Sequence, residues 1–487
     1  MSTSRPRVEP IGLVPGAGSR KRRLNASAAR RHAPTALFCL LLLLTARTAG
    51  TGLSDPDTPW HVLAGRHLWT TGAFSGPDPY SSFTTKPWVL NQWLPDLLLA
   101  AADHLGGLPA VVWLAQAWRV LLCVLLLIAC RQRADGLSAA SVAAVAVLGT
   151  ADSLSPRPQL VGFALLVITV SAWLNTASDG RPRWWLLLVA YVWACSHGTW
   201  VVGVTVGIAT ILGMLADRRL DRKSALRLAS IPLGSAALAV LTPLGPALLT
   251  SFQTVHAVSP YIQEWRAPTS ATLSVIATSA LLLVVPVAWV ARRSTWSWTY
   301  MTLWLVGLVW SVSSMRTVAV GAIIVAPIAA SAVSAAVRHR RRPVSTAERV
   351  LVAWAAALSL VASAVLAAHT PETPVGVPHR FDTLLSNLPA GTVVYNADAL
   401  GGWLMYSHPQ LSHTADTRAE IYGPILARSY LDVMAARPGW EEDLEHFAPR
   451  AVILEKGLPV VDALRSRGWQ VLGADAGYVL LEPGTPR

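Results

Sequence analysis

Charged side chains are scarce in this chain. Only 14% of its 487 residues are Asp, Glu, Lys or Arg, against about 25% in soluble domains, which excludes an ordinary water-facing surface along most of its length. Cysteine is scarce as well. Cys39, Cys123, Cys130 and Cys195 lie inside apolar runs without metal-site spacing, so they read as small core residues and indicate neither a disulfide framework nor a zinc cluster. The sequence contains no G-x-G-x-x-G and no G-x-x-x-x-G-K-[ST], so a phosphate-cradling nucleotide site is not indicated. It also lacks a repeat of fixed period, which excludes a solenoid.

What is present is apolar: 53% of residues are hydrophobic and the mean hydropathy is +0.44. A net charge of +13 would suit a nucleic-acid binder, but the basic residues form short clusters between apolar runs. That is the positive-inside pattern, and no basic stripe with exposed aromatics accompanies it, so a nucleic-acid partner is excluded. Many of the 21 tryptophans flank apolar runs, among them Trp60, Trp88, Trp184, Trp185, Trp296 and Trp298, as headgroup-level anchors do.

Residues 1–33 are Arg-rich, with Pro, Gly and Ser and no periodicity, and are expected to form a disordered basic cytoplasmic tail. The run from about 34 to 50 has the length of a signal-peptide core. Cleaved or retained, it leaves residue 51 onward outside the cytoplasm. Apolar segments suited to a ~30 Å hydrocarbon core recur near 107–130, 137–152, 159–177, 184–197, 199–216, 226–243, 271–291, 298–314, 317–337 and 349–368. The expectation is an α-helical polytopic membrane protein of about eleven transmembrane helices over residues 34–370. Clusters such as Arg131/Arg133, Arg181/Arg183, Arg218/Arg219/Arg222/Lys223 and Arg340/Arg341/Arg342 fall on alternate loops. They place the amino terminus in the cytoplasm and the carboxy terminus outside. The outer loop 51–106 holds two short amphipathic pieces expected to lie along the interface. Residues 378–487 alternate helical pieces with strand-like runs (TVVYN, RAVILEK, WQVLGA, GYVLLEP), which predicts an extracytoplasmic α/β domain.

This topology gathers the isolated ionisable residues on one side. Asp55, Asp57 and His61 follow the first span. Arg157 and Gln159, His197, Glu264 and Trp265, and Arg316 sit at later outer junctions. Ionisable residues beside a membrane core are costly unless partnered, and so are candidates for function. Structural roles are open to each: an Asx-turn for Asp55-Pro-Asp57, snorkelling for the arginines, a satisfied junction histidine for His197. Arg119, near the middle of a span, needs a cavity or a partner. Chemically, a carboxylate in such a set can accept a proton from a hydroxyl, or Asp55 and Asp57 can hold a divalent cation such as Mg2+ or Mn2+. Arginines can clamp a phosphate. The same set also suits an outward-facing transport or lipid-binding site.

In order, DPDTPWHVLAGRHLWTTGAFSGPDPYSSF, NQWLPDLLLAAADHLGG, SPRPQL, CSHG, TPLG with YIQEW, SMRTVAV, GGWLMYSHP and ADTRAEIYG resemble a bacterial family of multispanning membrane proteins of the GT-C glycosyltransferase type. The resemblance covers nearly the whole chain from residue 51. It implies a plasma-membrane enzyme that moves a sugar, with inversion, from a polyprenyl-phosphate donor to an envelope glycan or glycolipid acceptor. Asp55 or Asp57 would then be the base or metal ligand, His61 an auxiliary acid/base or orienting group, and Arg157 or Arg316 the donor-phosphate contact. Two other readings stand beside it. One is a transporter or assembly factor for envelope polymers, although the helix interruptions fall at outer ends rather than mid-membrane. The other makes the C-terminal domain a binding module, with Asp416, Arg418, Glu420 and Tyr422 exposed and clustered.

Overall fold

The computed structural model describes residues 32–269, 271–292, 297–337 and 341–484; most of the expected basic tail lies outside them. The chain opens with α1 (His32–Thr51), whose last turn is a 3-10 helix from Ala46. Then come α2 (Thr58–Thr71), the small hairpin β1 (Ser75–Gly76) and β2 (Trp88–Val89), α3 (Trp93–Arg131), α4 (Gly136–Gly149), α5 (Gln159–Asp179) and α6 (Leu186–Ala194). The bundle continues with α7 (Trp200–Ala216), α8 (Arg222–Ala239), α9 (Ala247–Val258), α10 (Leu273–Arg292), α11 (Trp298–Ser313), α12 (Val318–Ala336) and α13 (Thr346–Ala367).

Six helices among the described residues are long and apolar enough to cross a membrane: α1, α3, α5, α10, α12 with its preceding turn, and α13. The remaining expected spans are shorter or less apolar: α4, α7 and α11 have 14, 17 and 16 residues, and α8 begins with Arg222 and Lys223. α6 keeps only 9 residues, about 14 Å at 1.5 Å per residue, under half of the ~30 Å core. α12 is the hub, with 83% of its apolar window buried, whereas only 22% of the window of α13 is buried. The small residues of α12 allow this. A Cβ on Gly321 would come within 2.6 Å of the Gly307 carbonyl on α11, so the two backbones meet directly, as small-residue crossings permit. α3 bends at Gly106 and Gly107, the latter with φ 63°, a conformation that favours glycine. Its first three turns therefore leave the bundle direction. Arg119 finds partners rather than open space: its Nε donates to the Leu154 carbonyl at 2.7 Å and Nη1 to Thr48 Oγ1 at 3.2 Å. All four cysteines are free and buried.

Beyond α13 the chain forms α14 (Asp382–Ser386), β3 (Val393–Asn396), α15 (Gly401–Ser407), β4 (Ser412–His413), α16 (Ala419–Met434), α17 (Trp440–Glu445), β5 (Ala451–Glu455), α18 (Pro459–Ser466), β6 (Gln470–Asp475) and β7 (Tyr478–Glu482). The strands make one sheet in the order β4-β3-β5-β7-β6. The β3 pairings are parallel; those of β7 are antiparallel. Central β5 has four fully buried apolar residues in succession, as a strand covered on both faces requires.

The segment leading into this sheet carries a paired histidine. His379 Nδ1 is 2.9 Å from Asp382 Oδ2, and its Nε2 is 2.7 Å from the Pro374 carbonyl. Both partners are acceptors, so this setting favours the doubly protonated ring. Burial alone would lower the His379 pKa, but Asp382 and the carbonyl raise it above the usual value. Because the folded pKa is raised, the stabilisation is complete below the ordinary histidine pKa and disappears as pH rises through the folded value. Thermal unfolding of wild type and His379→Asn should therefore differ at pH 5.5 and converge by pH 8.5. The gap should stay below about 1 kcal/mol for so exposed a pair.

Candidate functional site

The segment before α2 is built around Asp55. Its Oδ1 accepts the backbone N–H groups of Asp57 and Thr58, each at 3.0 Å, an Asx-type turn that starts the helix, with Pro59 in its first turn. The Thr58 hydroxyl lies 3.0 Å from Asp55 Oδ1 and 2.9 Å from the Pro156 carbonyl, which pins the SPRPQ segment to this turn. Arg157 follows at once. Its Nε donates to Asp55 Oδ2 and its Nη1 forms an ion pair with Asp57 Oδ2, both at 2.8 Å.

The two acids consequently differ. Asp55 has every oxygen occupied and is not among the residues lining the adjoining cavity. Asp57 lines it, and its Oδ1 is buried with no hydrogen-bond partner. Burial pushes the Asp57 pKa up to about 6 against the pull of Arg157, with the Asp55 charge adding to the rise. Burial would lower the Arg157 pKa, but Asp57, Asp55 and Glu264 outweigh it and hold it above its usual range. Arg157 therefore supplies the positive charge at the place expected for a divalent cation. Among the described residues no three His, Cys, Asp or Glu side chains gather as metal ligands.

One turn after Asp57 on α2, His61 Nδ1 meets Asp96 Oδ1 of α3 at 2.7 Å, with Asp96 0% exposed. The approach depends on Gly65: a Cβ there would fall 2.0 Å from the Asp96 carbonyl. His61 stacks on Trp60, ring centroids 3.6 Å apart. Burial, then the charge of Arg157, drives its pKa well below the usual value. The neutral ring shares a hydrogen bond between its Nδ1 and Asp96 Oδ1, and the residue lines the adjoining cavity. Asp96 is a residue that sequence reasoning missed. Its signal is an acid inside an apolar helical run, which needs a partner.

The cavity measures about 970 Å³. It brings together Asp57, His61, Arg157, His197, Glu264 and Arg316, from segments more than 250 residues apart in the sequence. Gln159 and Trp265 also line it. Glu264 bridges the arginines, 3.5 Å from Arg157 Nη1 and 3.6 Å from Arg316 Nη1, and Arg316 lies over the Trp265 ring at 5.7 Å. Arg316 is thus far less tightly engaged than Arg157. His197 Nδ1 accepts the Thr199 N–H at 3.2 Å. Burial, with Arg316 nearby, lowers its pKa to about 3, so it is neutral and Nε2 carries the remaining N–H. Gln159 is turned to structure: its amide donates to the Ser153 carbonyl at 2.8 Å.

The C-terminal sheet closes the cavity from the other side. Arg418, 2% exposed, donates to Asp78 at 2.9 and 3.1 Å and to Asp416 at 3.0 and 2.7 Å. The Tyr422 hydroxyl donates to Asp416 at 2.7 Å. Burial would raise the Asp416 pKa, but Arg418 and His413 hold it far below the carboxylate range. Trp60 Nε1 donates to Thr417 Oγ1 at 3.1 Å, and a Cβ on Gly402 would lie 2.3 Å from the Pro56 carbonyl. Asp416, Arg418 and Tyr422 do cluster, but they are buried. The expectation of an exposed binding surface there is corrected: their partners lie in the loop before α3, not in solvent.

A helix bundle whose loop after α1 carries a buried acid, closed by a small sheet over one large cavity, is a membrane protein with the GT-C-type glycosyltransferase fold. The structure is similar to an oligosaccharyltransferase from Archaeoglobus fulgidus in the apo form (TM-score 0.59, 10% identity), covering 86% of this chain and 69% of that one. The same enzyme tethered with an acceptor peptide containing the NVT sequon aligns at TM-score 0.52 and 11% identity, over 88% and 70% of the two chains. ArnT from Cupriavidus metallidurans in the apo state gives TM-score 0.50 and 14% identity, over 97% and 100%. No family model and no curated protein matches the sequence.

Proposed function

We propose that this chain is an inverting glycosyltransferase of the hexosyl- or pentosyltransferase kind. It would move a sugar from a polyprenyl-phosphate donor to an envelope glycan or glycolipid at the outer face of a bacterial plasma membrane. In this reading the amino terminus is cytoplasmic and the C-terminal sheet extracytoplasmic. The observation that carries the proposal is Asp57, which lines a cavity shared with Arg316 and neutral His197 and whose Oδ1 is buried without a hydrogen-bond partner. The fold it shares with known sugar transferases supports it.

Each group has a task in that reaction. Asp57 takes the proton from the acceptor hydroxyl as its oxygen bonds to the anomeric carbon. The bond from that carbon to the phosphate oxygen breaks, its electron pair stays on the phosphate, and attack from the opposite face inverts the centre. Arg316 and the His197 N–H stabilise the charge gathering on the departing phosphate. Asp55 and Glu264 hold Arg157, which steadies the ionised base, and Asp96 orients His61 beside it.

The test is transfer of radiolabelled sugar from polyprenyl-phosphate donors in membranes containing the protein. No transfer from any such donor would overturn the proposal. Because the base must be ionised and its pKa is raised to about 6, the rate should fall as pH drops below about 6, approaching tenfold per pH unit. A rate unchanged between pH 7 and pH 5 would exclude Asp57 as the base.

A further inference from the structure

The cavity has two chemically different walls. The bundle wall offers Arg316, held only loosely by Glu264 at 3.6 Å, beside neutral His197, with Arg157 paired to Asp55 and Asp57. The wall formed by the C-terminal sheet and α16 carries Tyr395, Asp398, Glu420 and Tyr430. The cation within that wall, Arg418, is fully engaged by Asp78 and Asp416. Among the described residues Glu420 makes no hydrogen bond or ion pair with another side chain, and its carboxylate feels the charges of Arg418 and Arg316. Asp398 is an exposed residue on this wall, and its Oδ1 accepts the Ala399 N–H at 2.8 Å. Burial raises the pKa of Glu420.

A separate observation points to a ligand. Tyr395 is 1% exposed and lines the cavity, yet its hydroxyl has no partner. A buried hydroxyl is costly to leave unpaired. Its ring stacks with that of Tyr430, centroids 6.2 Å apart and planes 25° from parallel, and the Tyr430 hydroxyl accepts the Asp398 N–H at 2.9 Å. The wall thus offers carboxylate acceptors, one unsatisfied phenol and aromatic surface. An anionic phosphate is disfavoured there and drawn to Arg316 opposite.

We infer that this wall is the acceptor subsite and that it takes a carbohydrate, whose hydroxyls donate to Glu420 and Asp398 while the Tyr395 hydroxyl bonds a sugar oxygen. The inference rests on the proposed transfer, which needs a hydroxyl delivered to Asp57 from the side away from the phosphate. It deepens that reading by assigning the acceptor's chemistry and the residues that select it.

The test uses the full chain in lipid nanodiscs. Saturation-transfer NMR would be recorded with the methyl glycosides of mannose, glucose, galactose, arabinofuranose and glucosamine, and binding of undecaprenyl phosphate measured separately. A neutral glycoside should bind the wild type. Glu420→Gln and Asp398→Asn should each weaken it about tenfold, the order expected for losing a hydrogen bond to a charged group. Undecaprenyl phosphate should bind all variants within about twofold, since its charge is met on the other wall. Tyr395→Phe should weaken the glycoside while leaving the unfolding temperature equal or higher, because it removes an unpaired buried hydroxyl. That pairing of effects separates ligand binding from damage to the fold. The inference is overturned if no neutral glycoside binds, if only glucosaminide binds, or if the three variants bind as wild type does. Failure of the wild type to bind undecaprenyl phosphate would instead remove the transfer reaction itself, and the acceptor assignment with it.

Discussion

Asp57→Asn should lower sugar transfer by about 10²–10⁴-fold, the usual contribution of a positioned general base, and should leave the protein folded. The asparagine carbonyl can still accept from Arg157 Nη1, which now meets Asp57 Oδ2 at 2.8 Å, so the turn and the arginine stay in place. What disappears is the free oxygen that can accept a proton. Asp55→Asn should behave differently. The asparagine carbonyl can still accept the N–H groups that start α2, as Asp55 Oδ1 does, but its NH2 replaces the oxygen that accepts from Arg157 Nε, so the change should cost about 1–3 kcal/mol, the penalty of leaving a buried donor unpaired, together with part of the activity. The comparison is made with radiolabelled donor in membranes and with thermal unfolding of the same proteins. Equal transfer by wild type and Asp57→Asn would remove the base assignment. A full loss in Asp55→Asn with retained transfer in Asp57→Asn would reverse the two roles.

The difference between these neighbouring acids could not be read from the sequence, and the reason is general. What was legible rests on local pattern. Long apolar runs marked α1, α3, α5, α10, α12 and α13, and the alternation of basic and charge-poor loops grouped Asp57, His61, Arg157, Glu264 and Arg316 before any contact was known. All five line one cavity. The span count was less legible, because hydropathy records composition while turns set length: a run ending in Cys195-Ser196-His197 reads as apolar, yet α6 stops at Ala194. Least legible were partnerships across the chain. His61 and Asp96 are 35 residues apart, and Arg418 and Asp78 are 340 apart. At that separation a charged residue announces only that it needs a partner. Arg418 therefore reads as a solvent-facing residue of a polar stretch, when it is one of the most buried charges in the protein.

That burial makes Arg418→Ala the substitution with the largest expected effect on stability, about 3–5 kcal/mol, the usual result of removing one member of a buried charge cluster. Asp78 and Asp416 have 0% of their side chains exposed and would lose their shared guanidinium, leaving only His413 beside Asp416. Lysine should not rescue the loss, because Nε, Nη1 and Nη2 all donate here and an ammonium cannot span both carboxylates in that planar arrangement. The triple replacement Asp78→Asn, Arg418→Met, Asp416→Asn should be milder than Arg418→Ala alone, since it leaves no buried charge unpaired. Thermal unfolding in detergent and limited proteolysis after residue 378 would read both effects. If Arg418→Ala melts with the wild type, the cluster does not hold the sheet in place. If the expected loss is found, function should follow, because the same few residues align Thr417 with Trp60 and set the acidic wall opposite Asp57. A sheet that loosens takes half of the cavity with it. Transfer should then fall in Arg418→Ala even though no atom of Arg418 is free to touch a substrate, and the triple variant, if it restores the sheet, should recover transfer in proportion to stability.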